Sequence, residues 1–452
     1  MAVRLGAGSG LLGDRIEPAL DLIERGNLDY LGLDSLGEIT VADLLRRRSR
    51  DQSRGFADVG RVVRVLLPPA LERGCRIVTN SGGVNAFVAL ERAAEAVGRL
   101  GKRAKLAATV GPDAAGEPAR ELVARLQSDG VSLQHLDTGE PFETIADRFV
   151  GISFYLGSQA VVEALNTGAQ LVVTGRHTDH SLWLAPLMHE LGWRADDYDR
   201  LAAGTIVAHL LECSSQLLGG NFTDWELVPD LENVGFPIIE VESDGTGIVT
   251  KLPDAGGLVT TATCKEQLIY EIGDPTQYLT PDVVADFTSV RFDQMGADRV
   301  RMSGARGAPP PSTLKAILAY RDGFAADGFV SFSWPKAKAK ARRAADIIRA
   351  RLDRIGLKAQ DVRFDLLGVN ALLGPLAPAA EPAEVTLRVA VKAATEADAA
   401  KLLGEFYPLY VAGPAGASGI VLNGPREVVA VWPALVPAEV GAARVETREV
   451  GG

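Results

Sequence analysis

The sequence predicts an α/β protein: an N-terminal domain of parallel strands with helices on both faces, followed by an α+β domain of antiparallel strands. Two observations carry this. Up to Val173, short apolar, β-branched runs alternate with segments of helical apolar spacing, and repeated strand–helix units imply parallel pairing. From about residue 222 the texture changes to short extended runs joined by turns such as Asp244-Gly245, which suggests antiparallel hairpins. The boundary falls between 225 and 226, giving domains 1–225 and 226–452. A barrel-like closure of the first domain produces the same alternation and stands as the alternative.

The elements follow in order. A strand at residues 3–6 runs into a glycine-rich loop, 6–14, and apolar spacing makes 17–25 a helix. The strand 28–33 ends in Asp34, and a helix passes through Val41. A longer helix covers 59–73, and the β-branched run 75–79 ends in Asn80-Ser-Gly-Gly-Val-Asn85. Helix 86–100, strand 105–110 and helix 117–128 follow, then a strand at 149–156, helix 158–167 and strand 170–173. Helices near 182–191 and 198–217 close the section. In the second half, strands are expected at 287–292, 299–303, 317–320, 329–332 and 384–391, with helices at 336–356 and 395–407. The Pro/Ala-rich stretch 374–382 reads as a surface loop or linker.

Composition limits the function classes. The chain has 452 residues, 47% hydrophobic and 23% charged, as in ordinary globular enzymes. Cys75, Cys213 and Cys264 have no CxxC spacing, so neither a disulfide scaffold nor a zinc ribbon is expected and a reducing cytoplasm is. The opening MAVRLGAGSG does not read as a secretory leader, and no apolar run approaches the roughly 18 residues of a membrane helix. A net charge of −11 disfavours non-specific nucleic-acid binding; the basic run 336–343 reads as the solvated face of a helix whose apolar side continues at Ile347-Ile348.

Chemistry concentrates where strands end. Thr174-Gly-Arg176-His177-Thr-Asp179-His180-Ser181 delivers a cation, two imidazoles and a carboxylate directly after an apolar strand. Arg176 can clamp a carboxylate or phosphate, His177 or His180 can act as general base oriented by Asp179, or Asp179 can simply cap the next helix. No HExxH-type spacing points to a metal. In 80–85, Gly82 and Gly83 permit close ligand approach, and Asn80 or Asn85 can bond an oxyanion; a plain turn is the alternative. Asp34 and Glu38 form a carboxylate pair or serve the following helix. The 6–15 loop has neither GxGxxG nor P-loop spacing, and reads equally as an anion loop or a turn. His209, Glu212, Cys213 and Gln216 share a helix face, either facing the cleft or packing in the core. Asn221 and Asp224 follow a Gly-Gly turn, and the run from Ser303 through Arg306 to Lys315 suits either a substrate acid or a surface turn.

Taken together, these motifs resemble the acyclic terpene utilisation family of the AtuA type. The likeness rests on 6–15 (GAGSGLLGDR), 28–40 (LDYLGLDSLGEIT), 79–85 (TNSGGVN), 156–157, 173–179, 202–213 (AAGTIVAHLLEC), 219–224 (GGNFTD), 265–287 (KEQLIYEIGDPTQYLTPDVVADF) and 303–315. The resemblance implies a part in degrading branched acyclic terpenes such as citronellol and geraniol through acyl-CoA intermediates, by a lyase or hydratase step. It implies a shared site of Glu38, Asn80, Asn85, Arg176, Asp179 and Asp224, with His177 and His180 as local departures from the family pattern. Relatives carry a small ferredoxin-like domain, fused or separate; no copy is obvious in this chain, so a small protein partner is expected.

The sequence therefore points to a cytoplasmic enzyme, expected as a homo-oligomer, that acts on a carboxylate or CoA thioester by C–C cleavage or addition–elimination, with no cofactor motif. Asp179 or Glu38 is the candidate base, with His177 and His180 competing. Asn80, Gly82, Gly83, Asn85, Arg176, Asn221, Asp224, Ser303 and Arg306 are the candidate substrate-binding residues. A non-catalytic scaffold subunit and a metal-dependent hydrolase are the alternatives.

Overall fold

In the computed structural model, residues 2–378 and 381–451 are described; Ala379 and Ala380, within the loop expected at 374–382, lie outside them. Five short strands form the parallel core: β1 (Val3–Ser9), β2 (Tyr30–Leu33), β3 (Arg76–Thr79), β4 (Ala104–Val110) and β5 (Leu171–Thr174). Their spatial order is β1-β2-β3-β5-β4, every pairing parallel. Successive side chains point to opposite faces, so a strand such as β5 with four buried residues must be covered on both.

The coverage explains the site's position. Helix α1 (Glu17–Arg25), the helical stretch 59–73 and α2 (Ala86–Arg99) place Leu22, Leu66 and Leu90 against Leu31, Ile77, Leu106 and Val173 on one face. On the other face, α3 (Gln159–Asn166), α4 (Ser181–Leu191) and α5 (Tyr198–Glu212) pack Val161, Trp183 and Val207 against Val78, Ala107 and Val172. The first three connections progress in one direction, whereas the chain leaving β4 steps back to insert β5 beside β3. With right-handed crossovers, that reversal sends the later helices to the opposite face. The chains leaving neighbouring β3 and β5 therefore diverge, and a crevice opens at their carboxyl ends.

The sheet does not close. Arg444–Val450 pairs antiparallel with β4, and Ile238–Val241 pairs antiparallel with β1, followed outward by Gly247–Thr250, Arg299–Ser303 and Arg291–Gly296. The sheet is open, so the barrel alternative is set aside. The chain divides at positions other than 225: one compact unit comprises 1–319 with 431–452, the other 320–430. The hairpins after 226 extend the same sheet as β1, which is why no boundary forms there. Among the described residues no helix is long and apolar enough to cross a membrane.

The expected strands 317–320 and 329–332 are one strand, Thr313–Ser333, because Gly323 at φ +82° absorbs the irregularity without ending it. Within the second unit, part of that strand, the helix Ala337–Arg354, the strands Asp361–Leu367 and Glu384–Ala393, a short helical stretch from Glu396, and part of Ser418–Pro437 follow in βαββαβ order. The sheet order, in that count, is 4-1-3-2, the connectivity of a ferredoxin-like fold. The topology expected of a small separate partner is thus present within this chain.

Candidate functional site

The first unit holds a cavity of about 320 Å³, lined by Tyr155, Thr178, Asp179, His180, Tyr278 and Lys315, with apolar walls that include Leu279, Pro311, Leu314 and Leu435. Asp179 and His180 come from the loop after β5. A bridge between Leu156 and His177, with Thr178 N–H donating to the Leu156 carbonyl at 2.9 Å, ties this loop to the segment carrying Tyr155. That tie brings the Arg176 guanidinium over the Tyr155 ring, 4.1 Å from its centroid.

Arg176 is buried, and its Nη1 donates to the Leu36 carbonyl at 2.8 Å and to Asp179 Oδ1 at 2.7 Å. Burial works against its charge, but the Asp179 carboxylate above all holds it above the ordinary guanidinium range. Asp179 itself keeps 31% of its side chain exposed and faces the cavity. What meets a ligand is therefore the carboxylate, with the arginine behind it. Beside it, Tyr155 donates to Glu38 Oε1 at 3.2 Å and Lys315 forms an ion pair with the same oxygen. Desolvation opposes Glu38's charge, yet the Lys315 ammonium holds it below the usual carboxylate range, so it is a paired anion. Burial pushes the Tyr155 phenol up to about 12, which keeps its proton in place at neutral pH.

Behind this front lie three largely buried carboxylates. Asp34 receives the Asn80 side-chain amide and the Leu36 N–H at 3.1 Å; burial first, then the Asp179 carboxylate, raise it well above the normal range. Glu212 is likewise raised by burial, with Asp179 adding to the shift, and lies 2.7 Å from His209 Nδ1. Asp282 accepts from Ser158 N–H and Oγ and lies 3.0 Å from His180 Nε2; despite its burial, the bond to His180 holds its carboxyl below the usual range.

Placed one by one, the candidates separate. Asp179, Glu38, Arg176 and His180 belong to one connected cluster. His177 does not face the cavity: its Nε2 is 2.8 Å from Thr109 Oγ1, its Nδ1 2.7 Å from the Gly157 carbonyl, and burial lowers it to about 4. A carbonyl only accepts, so Nδ1 carries the proton and the ring is neutral and fully bonded. Asn80 is oriented by Asp34, to which its amide donates, and by the Ser35 N–H at 2.9 Å, while both amide donors of Asn85 go to the Gln52 and Arg54 carbonyls, so Asn85 has none left for an oxyanion. Gly82 is needed because a Cβ there would stand 2.3 Å from the Thr174 carbonyl oxygen, and Gly83 because its φ is +57°. Asn221 and Asp224 are exposed and away from the cavity wall. Ser303 ends a strand, and Arg306 forms a surface ion pair with Asp199 at 3.1 Å; it is the far end of that run, Lys315, that reaches the cavity.

Tyr155, Tyr278 and Asp282 are not among the candidates read from the sequence, although Tyr278 and Asp282 lie within the 265–287 motif. Tyr155 could have been flagged as the residue at the carboxyl end of an apolar strand. Among the described residues, no group of three or more His, Cys, Asp and Glu side chains is arranged to hold a metal ion.

A family model described as acyclic terpene utilisation family protein AtuA matches residues 3–447. No curated protein and no solved structure matches the chain.

Proposed function

From its membership of the acyclic terpene utilisation family AtuA, which the match over nearly the whole chain establishes, we propose that this protein is a cytoplasmic enzyme of acid–base type. Its substrate is a branched, largely apolar carboxylic acid or its CoA thioester, and the step is lyase- or hydratase-like. The observation that carries the reading is the pairing, in one cavity, of a partly exposed carboxylate on a buried arginine with an ammonium, a phenol and an apolar wall.

Asp179, fixed by Arg176, takes a proton from the carbon next to the carbonyl. Lys315, whose ammonium has N–H donors to spare beyond Glu38, stands by to stabilise the oxyanion of the enolate-like intermediate, in a site whose apolar walls strengthen that contact. Leu279, Pro311, Leu314 and Leu435 receive the hydrocarbon chain.

The test uses a panel of branched unsaturated acyl-CoA thioesters and the corresponding free acids. Deuterium uptake from D₂O at the α-carbon is followed by mass spectrometry alongside product formation. Wild type is expected to exchange and turn over at least one member; Asp179→Asn should lose about 10²- to 10⁴-fold, the usual worth of a positioned base. If Arg176→Ala and Asp179→Asn leave turnover intact, the assignment fails.

A further inference from the structure

A second cavity, of about 240 Å³, lies at the carboxyl ends of β1–β3 and shares no lining residue with the one above. Its rim is the 10–14 glycine loop, where Gly13 stands at φ +90° and a Cβ on Gly10 would press on the Cys213 backbone at 2.8 Å. Arg15, Arg61, Ser35 and Ser81 line it, as do Asp14 and Asp58.

Three features mark it as built for an anion. The two carboxylates already have donors: Asp14 accepts from Gly10 N–H at 2.9 Å, Arg15 N–H at 2.7 Å and Ser214 Oγ at 3.0 Å, and Asp58 from Arg61 N–H at 3.1 Å. The two guanidiniums, by contrast, bond only neutral oxygens among the described residues. Arg15 reaches the Val234 carbonyl at 2.6 Å and Ser215 Oγ at 3.2 Å, Arg61 the Asp14 carbonyl at 3.3 Å, and neither forms an ion pair. Finally, Ser81, 2% exposed, has a hydroxyl with no hydrogen-bond partner among the described residues, an arrangement that is costly unless a ligand completes it.

We propose that this cavity binds a phosphate or diphosphate group, held by Arg61 and Arg15 with the Ser81 hydroxyl as a further donor. Guanidinium forks suit phosphate oxygens, and a small hydroxyl beneath a glycine loop lets the group sit close to the backbone. The group belongs either to the substrate itself or to a separate phosphorylated small molecule. The proposal stands whether or not Asp179 is the base.

Isothermal titration of the full-length protein with inorganic pyrophosphate tests it. Wild type should bind one equivalent. Arg61→Ala should weaken binding about ten- to hundredfold, the worth of a charged hydrogen bond, and Ser81→Ala about fivefold. Ser81→Ala should leave the unliganded melting temperature unchanged or raised, since its hydroxyl has no partner to lose; a purely structural serine would lower it. Arg306→Ala, at a surface ion pair, should bind as wild type. Displacement of pyrophosphate by free coenzyme A assigns the group to a thioester substrate; simultaneous binding assigns it to a separate ligand. No binding up to about 10 mM, a value weaker than any specific site of this kind, or equal affinity in wild type and Arg61→Ala, overturns the proposal.

Discussion

His177 supplies a prediction whose size follows from its surroundings. Both ring nitrogens are bonded and the ring is buried, so adding a proton would place a charge against the Gly157 carbonyl and Thr109 with no solvent to receive it. Burial therefore lowers its pKa from 6.5 to about 4. A drop of about 2.5 units at 1.36 kcal/mol each corresponds to about 3 kcal/mol. Below pH 6.5 the unfolded chain takes up a proton that the folded protein refuses. The contribution is thus complete above that pH and is lost as pH falls through about 4. Asp113 acts the other way: burial raises it from 3.8 to about 6, so its contribution is complete at low pH and is lost as pH rises through 6. The two trends oppose each other over one window, and the wild-type curve alone conceals both. The difference between wild type and His177→Gln isolates the histidine. In equilibrium urea unfolding from pH 7.5 to 4, the stability advantage of wild type over His177→Gln should shrink by about 3 kcal/mol. A difference that does not change with pH, or a His177 ring titrating near 6.5 by NMR, would refute the buried, neutral assignment.

Asp113→Asn should remove the opposite trend: wild type loses about 3 kcal/mol between pH 4 and 7 that this variant does not, read by the same unfolding series. Gly82→Ala drives a methyl into the Thr174 carbonyl, a backbone atom that cannot step aside, and should cost about 3 kcal/mol or more, seen as a lowered thermal midpoint. Lys315→Met removes the ammonium from the cavity wall. Under the proposed function it should raise KM for a carboxylate ligand about tenfold, and restoring the charge with Lys315→Arg should recover part of the loss.

The parallel core was legible because its strands are short apolar runs separated by amphipathic helices, a pattern that only two-sided burial produces. The far edges were not. Arg444–Val450 is polar and partly exposed, so no apolar periodicity marks it, and its pairing with Ala104–Val110 is a tertiary fact. The apolar run Phe149–Phe154 looks like another core strand yet pairs with Ala114–Ala115 in a different sheet, since period and composition do not specify a partner. The site divided the same way. Position at a strand end located Arg176, Asp179 and Glu38, but Asn85 and His177 have the same side-chain chemistry whether they face a ligand or the main chain. Asp282, more than a hundred residues from its partner His180, could be placed only by the fold.

The burial of Arg176 explains why these distant pieces form one unit. Removing a guanidinium from water costs several kcal/mol unless its surroundings replace the lost solvation. Here the replacement comes from three separate segments: the Leu36 carbonyl after β2, the Tyr155 ring at the end of Phe149–Phe154, and Asp179 in the arginine's own loop. Each contact is favourable only when the other two segments are in place, so the charge acts as a condition on the whole strand-end cluster. Through Tyr155 the condition extends to Glu38 and from there to Lys315. An arginine that could not itself reach a ligand thereby fixes where the cavity's carboxylate, phenol and ammonium stand relative to one another. That is the arrangement a proton-transfer site requires, and it arises at the crevice where the chain's direction across the sheet reverses.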